Sequence, residues 1–171
     1  IGIGAYRRFV GIVMHADEVV AKRTVEDEYG LVHEFEEVIA GEAMEGGPIM
    51  LSWADAQGAA AATPGYNVVI HEFAHVIDMH GFADAARWQP VLQAEYDHFR
   101  ERVVCGHKTL LDPYGAQSIE EFFAVGTETF FVLPYELHND RPKLAQYFRH
   151  VYRQDPCAWQ APEPLRGRPA R

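Results

Sequence analysis

Three things are scarce in this sequence: cysteine, long apolar runs and positive charge. Two cysteines, Cys105 and Cys157, occur in 171 residues, neither in a C-x-x-C pair nor at metal-ligand spacing, which favours reduced thiols and a cytoplasmic protein. The apolar runs are too short to span a membrane, and no signal-peptide pattern opens the chain. A net charge of −10 argues against direct binding to nucleic acid phosphates.

The composition predicts one globular domain followed by a flexible tail. Hydrophobic residues make up 48% of the chain and charged residues 23%, as in folded proteins. We expect a single domain over residues 1–157 and a flexible Pro/Arg-rich tail over residues 158–171. Because the chain begins at Ile1 rather than Met, we also expect a segment ahead of it. For the basic region 141–171 we prefer a solvated tail to a weak docking patch.

Strand patterns precede helical patterns along the chain. Residues 9–14 and 49–53 are mostly apolar, which predicts two strands. Residues 31–39 partly alternate between apolar and polar, which predicts a third, half-buried strand. The Ala-rich residues 57–63 before Pro64-Gly65 predict a loop. The strand at 49–53 either presents its edge to an extended peptide or is an ordinary buried strand. Strands first and helices second predict an α+β fold.

Four helices are predicted after residue 66. The first is expected to begin at its cap Asn67 and to end before Gly81. Ser118 is the expected cap of the third helix and Asp140 that of the fourth. Pro90 lies near the start of the second helix or breaks it in two. The third helix is expected to run to about Val132, and Pro142 to lie in the first turn of the fourth.

The most informative segment is His71-Glu72-Phe73-Ala74-His75, an H-E-x-x-H motif on the first predicted helix. Residues four apart share a helix face, so both imidazoles can reach one metal ion. The Glu72 carboxylate can then take a proton from water that the ion activates. Chance placement would give only ~0.04 such motifs in a chain of this composition. A surface helix with solvated side chains is the alternative, but apolar residues flank the motif on both sides, which favours a metal site.

A catalytic zinc site takes three protein ligands, and the motif supplies two of them. His80 is five residues after His75 and lies on a different helix face, so we reject it as the third. A later carboxylate is the common solution, and the candidates are Glu95, Glu101, Glu120, Glu121 and Glu128. Glu121 lies with Glu128 on one stripe of an apolar helix, which favours it. A capping box, Ser118-x-x-Glu121, competes for the same carboxylate.

Two further acids are candidates for orienting the zinc ligands. Asp78 lies on the helix face of both histidines, where its carboxylate can accept the N–H of a metal-bound imidazole and fix its tautomer. The alternative is an ordinary polar residue in the last helical turn, where the macrodipole disfavours an acid. We assign Glu128 the same orienting role, with pairing to a neighbouring basic side chain as its alternative.

Four blocks of sequence carry a family resemblance, at residues 46–53, 65–78, 112–131 and 154–156. Together they resemble the Mlc titration factor A family of zinc peptidases over roughly residues 9–157. The Tyr-Gly and Glu-Phe-Phe-Ala arrangement is also similar to the zinc domain of anthrax lethal factor. The resemblance implies a zincin-like fold of the gluzincin type, with Glu121 as the third zinc ligand. It further implies that Tyr114 hydrogen-bonds the developing oxyanion.

The leading hypothesis is a peptidase that binds one Zn²⁺ and acts on a peptide or protein substrate. His71, His75 and Glu121 hold the ion, Glu72 is the general base and Tyr114 assists the oxyanion. The resemblance leans towards aminopeptidase-like activity on small substrates. It also implies an alternative of another class, a regulatory protein that sequesters a Mlc-like transcriptional repressor, with hydrolysis secondary. A structural zinc site is disfavoured because such sites normally have four protein ligands, usually including Cys.

Overall fold

The computed structural model describes residue 6 and residues 9–26, 29–58, 65–81 and 85–159. Most of the predicted loop at 57–63 and of the tail at 158–171 therefore lies outside the described residues. The described parts form an α+β arrangement in which short strands precede the helices, as expected. Within these ranges, no helix is both long enough and apolar enough to cross a membrane.

The strands form two separate sheets. β1 (Ile12–His15), β5 (Ile49–Ser52) and β4 (Gly41–Ala43) make a three-stranded sheet in the order β1-β5-β4. In this sheet β5 runs parallel to β1 and antiparallel to β4. β2 (Val19–Glu26) and β3 (Val32–Ile39) pair antiparallel as a two-stranded hairpin.

The structure decides one open question about the strands and corrects one expectation. Of the two alternatives for the strand at 49–53, the buried strand is confirmed, because β5 is the central strand of its sheet and its Ile49 and Leu51 are buried. β4 forms the edge instead. The strand predicted at 31–39 exists, but it is not half-buried, since Phe35 and Val38 are exposed on opposite faces of the hairpin.

Six α-helices follow within the described residues. They are α1 (Trp53–Gly58), α2 (Val68–His80), α3 (Ala85–Val104), α4 (Ile119–Val132), α5 (Pro134–Asp140) and α6 (Pro142–Tyr152). Short 3₁₀ turns lie at Pro113–Ala116 and Pro156–Ala158. α1 and α5 were not predicted. Pro90 is the sixth residue of α3, near its start as one alternative predicted, and the helix continues through it at the loss of one backbone hydrogen bond.

Side-chain caps fix where the two helices of the motif blocks begin. The Asn67 side chain accepts a hydrogen bond from the backbone N–H of Ile70, and Ser118 accepts one from Glu121. Both caps were predicted, and each satisfies an N–H group that the first helical turn leaves unpaired. The predicted cap at Asp140 is wrong, because that residue ends α5 and Arg141 precedes α6.

The core is helical and rich in aromatic residues. Every residue of α4 from Phe122 to Phe130 is buried, so this helix lies inside the protein. Its Phe123 and Phe130 pack against Phe148 of α6, and the ring centroid of each lies 5.6 Å from that of Phe148. α2 lies between this core and the sheet, since Ala74 and Ile77 belong to the helical core and Val68 and Val76 to a second cluster with β5.

Gly126→Ala is expected to lower the free energy of unfolding by about 1–3 kcal/mol, as measured by urea denaturation. A Cβ at this position would lie 2.8 Å from two ring atoms of Phe148, which is fully buried and has no room to retreat. The overlap opposes the gain of roughly 1 kcal/mol that alanine normally brings to a helix. Gly11→Ala is the matched control, because its Cβ meets no atom within 4 Å. Equal unfolding free energies for both variants would contradict this account of the core.

Candidate metal centre

α2 and α4 bring three metal-ligating side chains to one point. His71 and His75 lie one turn apart on α2, and Glu121 comes from the first turn of α4. The Nε2 atom of His71 is 3.0 Å from Glu121 Oε2 and 3.1 Å from His75 Nε2, and His75 Nε2 is 3.6 Å from the same Glu121 oxygen. Three potential donor atoms therefore form a compact triangle, although His71 and Glu121 are 50 residues apart in the chain.

This donor set fits a zinc ion. Tetrahedral zinc with bonds of about 2.0–2.1 Å holds neighbouring ligand atoms roughly 3.3 Å apart, close to the sides of the triangle. Two imidazoles and one carboxylate are also ligands that zinc accepts, and three protein ligands leave a fourth position for water or substrate. Among the described His, Cys, Asp and Glu side chains, this is the one group with metal-binding geometry.

The other carboxylate candidates lie elsewhere. Glu120 and Glu101 are exposed, and Glu95 forms an ion pair of 3.1 Å with the buried Arg141. The Glu121 carboxylate, for which a metal site and a capping box competed, contacts the histidines, and the cap uses only the backbone of Glu121. Its backbone N–H donates to the Ser118 hydroxyl, while its carboxylate turns to the histidines.

Glu128 holds His71 from the side opposite the triangle. Its Oε1 atom is 2.7 Å from Nδ1 of His71, and its Oε2 atom accepts a hydrogen bond from the backbone N–H of Asn67. The second contact lies at the start of α2, where the helix dipole favours a negative charge. Asp78 differs, since within the described ranges it makes no hydrogen bond to either imidazole, and burial raises the pKa of its carboxyl group.

The charges of the triangle are strongly coupled in the absence of an ion. Burial lowers the pKa of His71, but hydrogen bonds to Glu121 and Glu128 outweigh burial and raise this pKa to about 10. Burial raises the pKa of Glu121, but hydrogen bonds from His71 and His75 outweigh it and bring this pKa down to about 2. The site therefore stabilises positive charge between its carboxylates, which is also what a bound cation requires.

Glu72 is buried beneath the edge strand β4. The backbone N–H of Ala43 donates to its carboxylate, whereas its Oε2 atom has no hydrogen-bond partner in the described part of the chain. Burial raises the pKa of this carboxyl group, with the neighbouring histidines opposing the change. A Cβ on Gly41 would lie 2.7 Å from Cγ of Glu72, so only glycine lets the strand approach this closely.

A cavity of about 570 Å³ opens in front of Glu72 and His71. Residues 38–41 form one wall, and residues 109–114 with Val125 form another. Tyr114 stands at this second wall, 45% exposed, with its ring centroid 6.1 Å from that of His71. The Asp112 side chain positions it by accepting a hydrogen bond from the Tyr114 backbone N–H.

Sequence reasoning missed two residues of the site, Gly41 and Tyr66. Tyr66 lines the cavity next to Glu72 and Glu128, and burial, assisted by nearby acids such as Asp55, raises its pKa to about 12. Its position directly before the Asn67 cap could have indicated this, because that cap begins the helix that carries His71 and Glu72. Gly41 had no local signal, because its importance arises from the approach of β4 to α2.

Comparison with known proteins adds an independent observation. The profile of the glucose-regulated metallo-peptidase family M90 matches residues 1–153. The chain is 32% identical to the Mlc titration factor A of Pectobacterium atrosepticum, over 94% of this chain and 66% of that protein. It is 33% identical to that of Serratia proteamaculans and 32% identical to that of Yersinia pestis, over 88% of this chain and 62% and 60% of theirs.

The chain thus spans between 60 and 66% of the length of these relatives. The match still covers the helix that carries the H-E-x-x-H motif, the helix that carries Glu121 and the strands in front of them. The resemblance inferred from the four sequence blocks is confirmed, and the chain belongs to the M90 family of metallo-peptidases.

Proposed function

We propose that this chain is a zinc-dependent peptidase that hydrolyses peptide bonds with water. The observation that carries the proposal is the triangle of His71, His75 and Glu121 with the buried Glu72 carboxylate beside it, on one open cavity. Three protein ligands suit a catalytic rather than a closed structural site, and neither cysteine belongs to the cluster. Membership of a metallo-peptidase family supports the same reaction class.

In this proposal the residues of the site have distinct roles. Zinc held by the triangle supplies Lewis-acid activation of water and of the scissile carbonyl. Glu72 accepts the proton of the attacking water and returns it to the leaving amine, a role that its buried, incompletely hydrogen-bonded carboxylate and raised pKa favour. Tyr114 donates a hydrogen bond to the developing oxyanion. Glu128 accepts a hydrogen bond from the Nδ1–H group of His71, which leaves Nε2 unprotonated and facing the other two ligands.

The cavity suggests how a peptide is received. β4 is the edge of its sheet within the described residues and covers Glu72, so an extended substrate can pair along it. Val68, Leu111 and Val125 give the cavity an apolar lining that suits an apolar substrate side chain. This arrangement is compatible with cleavage at the end of a substrate chain and with cleavage inside it. The aminopeptidase preference and the cytoplasmic location stay predictions.

A second candidate function is capture of a Mlc-like repressor, which the name of the relatives, Mlc titration factor A, favours. Such binding would use a surface of roughly 800 Å² on each partner, much larger than the zinc-binding triangle. The two functions are therefore separable by variants that change the chemistry and leave the surface intact.

Zinc content tests the ligand assignment. The purified protein should hold about one zinc per chain by mass spectrometry of metals, because the described residues contain one suitable ligand set. His71→Ala and His75→Ala should lose it, and Glu121→Ala should weaken binding far more than Glu120→Ala, the matched control on the same helical turn. Equal zinc loss from the two glutamate variants would remove Glu121 from the ligand set.

The two candidate orienting acids should now behave differently. Glu128→Gln should lower zinc affinity or turnover by about 10–100-fold, because the amide is a poorer acceptor for Nδ1 of His71. Asp78→Asn should have a much smaller effect, since Asp78 makes no hydrogen bond to an imidazole in the described structure, and it serves as the control. Zinc affinity is measured by competition with a chromogenic chelator. A larger loss from Asp78→Asn would reverse the assignment.

Glu72→Gln separates chemistry from binding. The variant should keep zinc and lose about 10²–10⁴-fold in kcat, because the amide cannot accept the proton of water. If repressor capture is the biological role, the same variant should bind a Mlc-like repressor with unchanged affinity in calorimetry. Near-normal turnover of Glu72→Gln would show that another group is the base, and loss of repressor binding by a folded, zinc-loaded variant would identify the cleft as the docking surface.

A further inference from the structure

The β2–β3 hairpin has a composition that the site does not explain. Its two strands pair only with each other in the described ranges, and Val20, Val32, Phe35 and Val38 are each about half exposed or more. A two-stranded hairpin is only marginally stable by itself in water. Exposed apolar side chains grouped on one such element are typical of a binding surface.

The hairpin is continuous with the cleft. β3 ends at Ile39 and β4 begins at Gly41, so the chain passes almost directly from the hairpin to the strand above Glu72. Val38 and Ile39, at the base of the hairpin, already line the cavity. From this base the eight residues of β3 reach about 26 Å outward. A polypeptide lying along β4 would therefore come close to the base of the hairpin.

The hairpin is also acidic. Residues 19–39 contain six acidic and two basic residues, and the acids include Glu34 and Glu36 on the face of β3 that also carries Val32 and Val38. Register pairs Glu36 with Lys22 and Glu34 with the uncharged Thr24, so this face keeps a negative excess between its apolar ends. The complementary ligand carries basic residues alternating with apolar ones.

We propose that the β2–β3 hairpin is a second binding surface for the polypeptide that enters the cleft, and that it selects a basic, apolar segment. The segment lies about eight residues from the bond at the zinc-binding triangle, which is the reach of β3. This inference rests on the proposed peptidase function. It deepens that function, because it makes substrate choice depend on sequence outside the cavity.

The test compares a short chromogenic peptide with extended peptides of roughly 14 residues that share its cleavable core. One pair of extensions alternates Lys with Leu, on either side of the core, and a second pair alternates Glu with Leu. The ratio of kcat/KM for an extended peptide to that for the short one should be about tenfold higher with Lys than with Glu for at least one side. Added salt should reduce the preference.

Two variants locate the preference on the hairpin. Glu34→Gln with Glu36→Gln should reduce the Lys preference, and Glu34→Lys with Glu36→Lys should reverse it in favour of Glu. The neutral pair keeps the test valid if lysine opposite Lys22 weakens the hairpin. Asp97→Lys with Glu101→Lys, exposed on α3, introduces the same charge change elsewhere and should leave the Lys preference intact. Equal ratios for both kinds of peptide, or equal responses of the hairpin and α3 variants, would overturn the proposal.

Binding is measured separately, so that failure of the peptidase proposal can be told apart. Fluorescence anisotropy of labelled extended peptides with Glu72→Gln protein reports the hairpin directly. The wild-type protein can fail to cleave the short peptide while the hairpin variants still weaken binding of the Lys peptide in anisotropy. That result would contradict the proposed peptidase function and support the proposed binding surface. A self-association that sedimentation equilibrium detects and the hairpin variants abolish would assign the surface to a second copy of the chain and overturn the proposal.

Discussion

The packing of α2 against α4 is the contact on which the candidate centre depends. α2 supplies two imidazoles and the buried Glu72, and α4 supplies the two carboxylates that meet His71 at Nε2 and Nδ1. Because α4 is buried from Phe122 to Phe130, Glu128 is strongly desolvated, while Glu121 in the first turn is partly buried. Their pairing with histidines, or with a cation, offsets this cost. An apolar helix that buries paired acids is therefore both the mechanical support and the electrostatic origin of the site.

Much of this centre was predictable, because its main signals are local. The i, i+4 spacing of His71 and His75 and the caps at Asn67 and Ser118 depend on residues within one or two helical turns. Spacing alone left Glu121 divided between a metal ligand and a capping acid, and the family resemblance favoured the former. The clustering of His71, His75 and Glu121 agrees with that choice, whereas the chemical roles of these residues are proposals.

What sequence reasoning missed depends on non-local contacts or on weak signals. α5 has seven residues, begins at Pro134 and has no side-chain cap, so no pattern marked it. The central position of β5 arises from pairing with both β1 and β4, which are separated from it by different lengths of chain. Gly41 and the apolar exposure of β3 are likewise consequences of where strands lie. Local patterns specify an element, but its neighbours decide which of its faces and edges are available.

Glu128 joins two requirements that proteins usually keep apart. One oxygen accepts a hydrogen bond from the backbone of Asn67 at the start of α2, and the other contacts His71, the fourth residue of that helix. A substitution that loosened the grip on His71 would therefore also leave the first turn of the helix poorly satisfied. We therefore expect variation at this position to be constrained twice, since a chain without the metal ligands but with the same fold would still have reason to retain the acid.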